Sequence, residues 1–273
     1  MVDEVTGTDE RAARRARSAP LTFAAGAAVG LLGGMIGLGG AEFRLPLLIG
    51  LFGFAALSAV ILNKAMSLIV VITALPARLA TVSAAELGAH WAIVVNLLAG
   101  SLLGAWAGAA WATRMRTATL YRVLAVLMVG MAAALVLTHI TAVGALDLPG
   151  GVRTGAGVIA GFGIGVVAAI MGVAGGELLI PTITLLFAVE VKVAGSLSLL
   201  VSLPTMLVAF ARYSRDQSFV VLRNNLRFTT VMIAGSITGA LLGGLLLGVI
   251  PNVVLVPVLA AVLLISAVKL ARH

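Results

Sequence analysis

Residues 30–53 read GLLGGMIGLGGAEFRLPLLIGLFG, and residues 165–189 read GVVAAIMGVAGGELLIPTITLLFAV. Each is an apolar run broken by a glycine cluster, then a glutamate, then a proline four residues on. Placed 135 residues apart, Gly37, Gly40, Glu42 and Pro46 meet Gly172, Gly175, Glu177 and Pro181. Glycine matches are cheap in an apolar chain; a glutamate and a proline in one frame are not. Working outward, Ala25-Gly26 meets Ala160-Gly161, Gly30 meets Gly165, and Leu51-Phe52 meets Leu186-Phe187. The same frame pairs Gly100-Ser101 with Gly235-Ser236, Gly104-Ala105 with Gly239-Ala240, and Gly108 with Gly243. Between these blocks the reading slips, with Ser67 answering Ser196, Pro76 answering Pro204 and Ala77-Arg78 answering Ala211-Arg212. The chain therefore divides into an N-terminal tail (1–19), a first repeat (20–140), a linker (141–152) and a second repeat (153–273).

Composition sets the class. Of 273 residues 61% are hydrophobic and 10% charged, and the mean hydropathy is +1.18. Soluble domains carry about 25% charged residues, and disorder requires low hydrophobicity. Both are excluded in favour of a polytopic membrane protein, with no room for a soluble catalytic domain. The absence of cysteine removes disulfides, thiolate catalysis and most zinc sites. No nucleophile elbow, phosphate loop or paired-histidine motif is present, so no enzyme, cofactor or metal site is expected. A net charge of +8 belongs to cytoplasmic loops, not to nucleic-acid binding. The first apolar stretch recurs in mid-chain, so it is part of the fold and not a signal peptide. Arg11, Arg14, Arg15 and Arg17 then mark a cytoplasmic N-terminus.

Spanning length gives five segments per half. They fall near 21–37, 43–57, 60–80, 89–112 and 119–139, then near 153–172, 178–189, 193–211, 228–249 and 252–270. The first two of each half are short and joined by the helix-breaking GLGGAEFRLP and GVAGGELLIP. Either as a re-entrant hairpin or as two short helices, such a pair adds an even number of crossings. Counting each pair as one span instead gives four crossings per half, parallel repeats, and Arg114, Arg116 and Arg122 outside; with the even count each half crosses an odd number of times, and the second is inverted relative to the first. This places Arg114, Arg116, Arg122, Arg212, Arg215, Arg223, Arg227, Lys269 and Arg272 inside, as the positive-inside rule asks. The expected fold is all-α: an inverted repeat, each half a glycine-broken short pair plus three transmembrane helices, with both termini cytoplasmic at the plasma (inner) membrane.

Inverted repeats place a substrate site at the bilayer midplane, where broken helices meet. Gly37, Gly39 and Gly40, with Gly172, Gly175 and Gly176, would shape it. Glu42 and Glu177 are two of only six acidic residues beyond residue 20, and they occupy equivalent places in the two breaks. Ionisable groups at membrane depth are costly and functional by default. The pair reads as proton carriers, as cation ligands, or as caps on backbone N–H groups freed at their own breaks. Arg44, opposite Leu179, reads as an anion clamp or as half of a local ion pair. Asn63 and Lys64 open the third segment, and Lys64 with Ser67 shares a helix face; Lys192 and Ser196 echo them. These are candidate anion contacts, while Lys192 more simply ends a helix in water. Gly100, Gly104 and Gly108 and their copies carry the four-residue spacing of close helix packing.

The two glycine motifs look like the paired signature of the sulfite exporter TauE/SafE family. NKAMSLIVV with VAGSLSLLV, and GSLLGAWAG with GSITGALLG, look like its second and third recurring blocks. What the resemblance implies is a plasma-membrane carrier of small anions, such as sulfite, sulfonates and related organosulfur or carboxylate anions. Inside the motif, Ala41, Glu42 and Arg44 stand where many members have glycine and apolar residues. The expectation is a secondary transporter for a small anion, with Glu42 and Glu177 as proton-coupling groups. The alternative is a passive channel or cation carrier using the glutamates as ligands. The expected partners are the anion and the lipid bilayer, with no nucleic acid; a homo-oligomer is left open.

Overall fold

A computed structural model describes residues 18–36, 40–79, 83–140, 146, 148–245 and 252–271. Among them all regular structure is helical: α1 (Ala19–Ile36), α2 (Ala41–Gly50), α3 (Ala56–Leu79), α4 (Ala84–Ala89), α5 (Trp91–Arg114) and α6 (Thr117–Ile140) in the first half. The second half holds α7 (Gly150–Met171), α8 (Gly176–Phe187), α9 (Val191–Tyr213), a 3₁₀ turn (Gln217–Phe219), α10 (Val220–Asn224), α11 (Leu226–Leu245) and α12 (Asn252–Ala271). Six of these, α3, α5, α6, α7, α9 and α11, are long and apolar enough to cross a membrane. α1, α8 and α12 contribute shorter apolar stretches. The protein is a multi-pass helical membrane protein. Large apolar side chains, including Leu103, Trp106, Trp111, Val126 and Ile159, face outward on these helices, as lipid-covered surfaces do.

The glycine clusters make hairpins. α2 opens on Gly40, whose φ of 69° is left-handed and open to glycine at no steric cost. A Cβ there would strike the Val29 carbonyl and crowd Gly33, so the start of α2 lies back alongside α1. In the second half α7 ends at Gly172 (φ 72°) and α8 opens at Gly175 (φ 83°), which faces Ile164 and Ala168. α8 then returns along α7. Phe187 meets Gly157, and the Leu146 N–H donates to the Leu185 carbonyl at 2.8 Å. The end of α2 returns likewise, with the Phe52 and Phe54 rings 4.9 and 5.2 Å from Phe228 at the start of α11. Pro46 and Pro181 lie inside the short helices. Each removes the N–H that would bond the carbonyl four residues back, which is that of Glu42 or Glu177.

Three expectations are corrected. α7 has 22 residues and is of spanning length, so of the broken pair in the second half only α8 is short. α3 begins at Ala56, not near 60, so Lys64 sits in the third turn of a helix and does not open one. The slip in the repeat disappears: Gly53 and Ala188 both take positive φ, and α3 and α9 both start three residues later. The offset of 135 holds throughout, and Ser67 answers Ser202, not Ser196.

The halves are interleaved. Gly26, Gly30 and Gly34 of α1 lie on the backbone of Met232, Ser236 and Ala240 in α11, and Gly235, Gly239 and Gly243 lie on Phe23, Ala27 and Leu31. The same seam recurs 135 residues away with the halves exchanged. Gly161 and Gly165 of α7 lie on Leu97 and Ser101 of α5, and Gly100, Gly104 and Gly108 lie on Val158, Phe162 and Val166. Both helix pairs run parallel, with glycine supplying the close backbone approach. The fifth helices of the two halves, α6 and α12, pack on each other.

Gly30→Leu or Gly104→Leu would drive a side chain into a facing backbone. Each should lower stability by about 3 kcal/mol or more, seen as a lost or sharply lowered thermal transition in detergent. Gly163 has open space around it, and Gly163→Ala should change stability by no more than about 1 kcal/mol.

Candidate functional site

Hairpin geometry brings the two glutamates together. Each is the second residue of its short helix, just after a left-handed glycine. Their carboxyl groups lie against each other, each close to its own backbone N–H at the start of its short helix. Glu42 is 2% exposed; Glu177 is partly exposed as a residue, but its Oε2 is buried. Neither Oε2 receives a hydroxyl or N–H donor. A hydrogen bond between two carboxyl groups needs a proton on one of them. The two sequence readings of these residues, capping and proton carriage, are therefore compatible in the same geometry.

Two residues along α2, Arg44 is fully buried. Its Nη1 donates to Asn63 Oδ1 at 3.4 Å and to Ser67 Oγ at 3.3 Å. Nη2 donates to Ser236 Oγ at 3.3 Å, and Nε has no partner. These are long, neutral contacts for a charge-assisted donor, which bonds best at about 2.7–2.9 Å. Glu42 acts on the guanidinium electrostatically, but no ion pair forms among the described residues. Arg44 is thus not half of a local ion pair. It is a buried cation held by one amide and two hydroxyls from two helices, α3 and α11.

Asn63 and Lys64 repair the breaks. Asn63 Nδ2 donates to the Ala41 carbonyl at 3.0 Å and to the Met171 carbonyl at 3.2 Å, joining the two hairpins through one amide. Lys64 Nζ donates to Ala168 at 2.8 Å and to Val173 at 2.7 Å. Carbonyls at a helix end lack intrahelical donors, and a cation there also suits the dipole. Gly172 packs against Val60 and Lys64, so α3 lies across the end of α7. The sequence offered Lys64 as an anion contact; its ammonium is instead engaged with backbone carbonyls.

The rest of the candidate set is unevenly placed. Ser67 joins the Arg44 cluster. Ser196 is buried on α9 with no partner for its hydroxyl, and Ser202, the true counterpart of Ser67, is likewise buried and unpartnered. Gly176 is the first residue of α8. Gly37, Gly39 and the side chains of Arg78 and His139 lie outside the described residues. His90 bonds only the Glu86 carbonyl at 2.9 Å, Lys192 is exposed at the start of α9, and Arg212 lies 6.0 Å from the Trp106 ring centre. Sequence reasoning missed Ser236 as an arginine ligand. Its copy Ser101 bonds Thr205 at 2.8 Å. The signal was in view, since the Gly-Ser pair recurs in both halves, but it was absorbed into the glycine packing pattern.

A buried arginine and a carboxyl pair at the meeting of two broken helices define a polytopic membrane protein with a polar centre. Residues 5–135 match the family model described as Sulfite exporter TauE/SafE. The match covers most of the first repeat and agrees with the family that the repeated motifs of both halves resemble, a family of membrane transporters. No curated protein and no solved structure matches the chain.

Lys64→Met should leave the Val173 carbonyl without its side-chain donor, while the Ala168 carbonyl keeps the Val173 N–H at 3.1 Å. The expected cost is about 2 kcal/mol or more, read as a lower thermal transition of the purified protein. Ser196→Ala removes no hydrogen bond and should stay within about 0.5 kcal/mol.

Proposed function

We propose that the protein is a secondary transporter that moves a small anion, such as sulfite, an organosulfonate or a related oxyanion or carboxylate, across the plasma membrane. One observation carries the reading. Arg44 is a guanidinium sealed inside the bundle, with long neutral contacts, an unused Nε and no carboxylate paired to it. A buried cation left so underpaired is expensive, and a planar donor fork suits an oxyanion. Asn63, Ser67 and Ser236 complete the shell, and Glu42 and Glu177 beside it serve proton coupling. The family match adds the substrate class.

Helix directions support the inverted arrangement. α2 folds back between α1 and α3, so α1 and α3 run the same way. α3 places Lys64 at the end of α7, while its own end leads through α4 into α5. Asn96 near the start of α5 bonds Thr154 near the start of α7 at 2.9 Å. α3 and α7 must therefore run oppositely, because twelve residues could not otherwise reach. On this reading residues 113–118 and 214–222 lie on one side of the membrane, the cytoplasmic one, with both termini.

Purified protein in liposomes should take up at least one of sulfite, thiosulfate, sulfoacetate, lactate or sulfate. Arg44→Leu should reduce that flux by about 100-fold or more, the scale of losing a charge-assisted contact. Undiminished flux in Arg44→Leu would remove the anion reading. A small-cation flux that depends on Glu42 and Glu177 would install the cation carrier in its place. Tags at 113–118 and 214–222 should be accessible from the same face; opposite faces would end the inverted topology.

A further inference from the structure

Four ionisable side chains reach the interior where the hairpins meet: Arg44 and Lys64, and Glu42 and Glu177. The helices packed around them bring no other charge inward among the described residues. Arg153 on α7 and Arg212 on α9 are only partly buried, and Lys192 on α9, Arg227 on α11 and Lys269 on α12 are exposed. With both carboxyls ionised the interior is neutral, and an incoming monoanion would leave a net negative charge buried. With one proton between the carboxyls the interior is singly positive, and a monoanion on Arg44 neutralises it. Uncompensated buried charge is strongly unfavourable, so the two events are tied.

We infer that Arg44 and the Glu42–Glu177 pair form one charge-balanced unit, which binds a monoanion at the guanidinium together with one proton taken up between the two carboxyls. This rests on the anion-transport reading above and adds a stoichiometry and a charge class to it. The balance is simple. One proton leaves the bathing buffer and becomes the O–H that one glutamate donates to the other. One anion enters, and the interior carries no net charge before or after. The two carboxyls lie together, so one proton can be shared between them, and the Oε2 of each has no other donor. Lys64 stays with its two carbonyls.

The test uses the full chain in lipid nanodiscs with methanesulfonate and isethionate, strong-acid monoanions that do not titrate themselves. Calorimetry in buffers of different ionisation enthalpy counts protons. The wild type should take up one proton per anion, with affinity weakening about tenfold per pH unit on the alkaline side, as linkage demands. E42Q and E177Q each hold one carboxyl neutral without a proton. Each should bind independently of pH and should exceed the wild type about tenfold or more at high pH. Anion binding by the wild type with no proton uptake overturns the inference and leaves anion transport standing. So does failure of both probes to bind while other anions still show Arg44-dependent flux. Loss of all anion flux removes the transport reading itself. Pro46 and Pro181 sit near the pair, so agreement between the two variants guards against a local folding artefact in either one.

Discussion

Apolar surroundings offer no hydrogen bonds, so every backbone group freed by a glycine break must find a partner inside the protein. Each half contains such a break, and the prolines four residues beyond the glutamates add to the shortage of donors. α3 answers much of the demand. Its Asn63 spans both breaks, and its Lys64 closes the end of α7. Because those bonds fix both hairpins, they also fix where Glu42, Glu177 and Arg44 stand. The polar centre is therefore a consequence of backbone satisfaction as much as of side-chain chemistry.

Two layers of information occupy the same repeat. The glycine seams are reproduced at the common offset with the halves exchanged, apart from Gly34, whose counterpart is Ala169. The polar residues are reproduced only in part. Arg44 stands opposite Leu179, Asn63 opposite Ser198 and Lys64 opposite Leu199. Ser67 and Ser236 keep a serine in the other copy, at Ser202 and Ser101, and the glutamates are kept in both copies and meet. Packing obeys the duplication, while the cationic chemistry is confined to one side of it. A site built this way has a paired acid at its centre and a single guanidinium to orient a bound anion.

Much of this was legible in the chain. The repeat, the breaks, the glutamate pair and the packing role of the spaced glycines follow from spacing alone. What failed has specific causes. Pro76 and Pro204 occupy non-equivalent positions in α3 and α9, and matching them pulled the alignment of that segment out of frame. Lys64 looked like a helix-opening cation because the stretch from Ala56 to Leu62, apolar but for Ser58, gives no clear start signal; only the structure shows the carbonyls that it meets. Ser236 reaches Arg44 from another half of the molecule, 192 residues away, and no local pattern encodes such a meeting.

The interleaving has a bearing on biogenesis. α1 is made before α11, yet the surface that its glycines are shaped for belongs to α11. α5 must wait in the same way for α7. The α1–α2 hairpin therefore lacks its α11 partner until the second repeat is made, and neither copy can complete its seams by itself. Severing the chain at the linker would yield two fragments that each need the other to mature, and the quality-control burden of the protein falls on its final third.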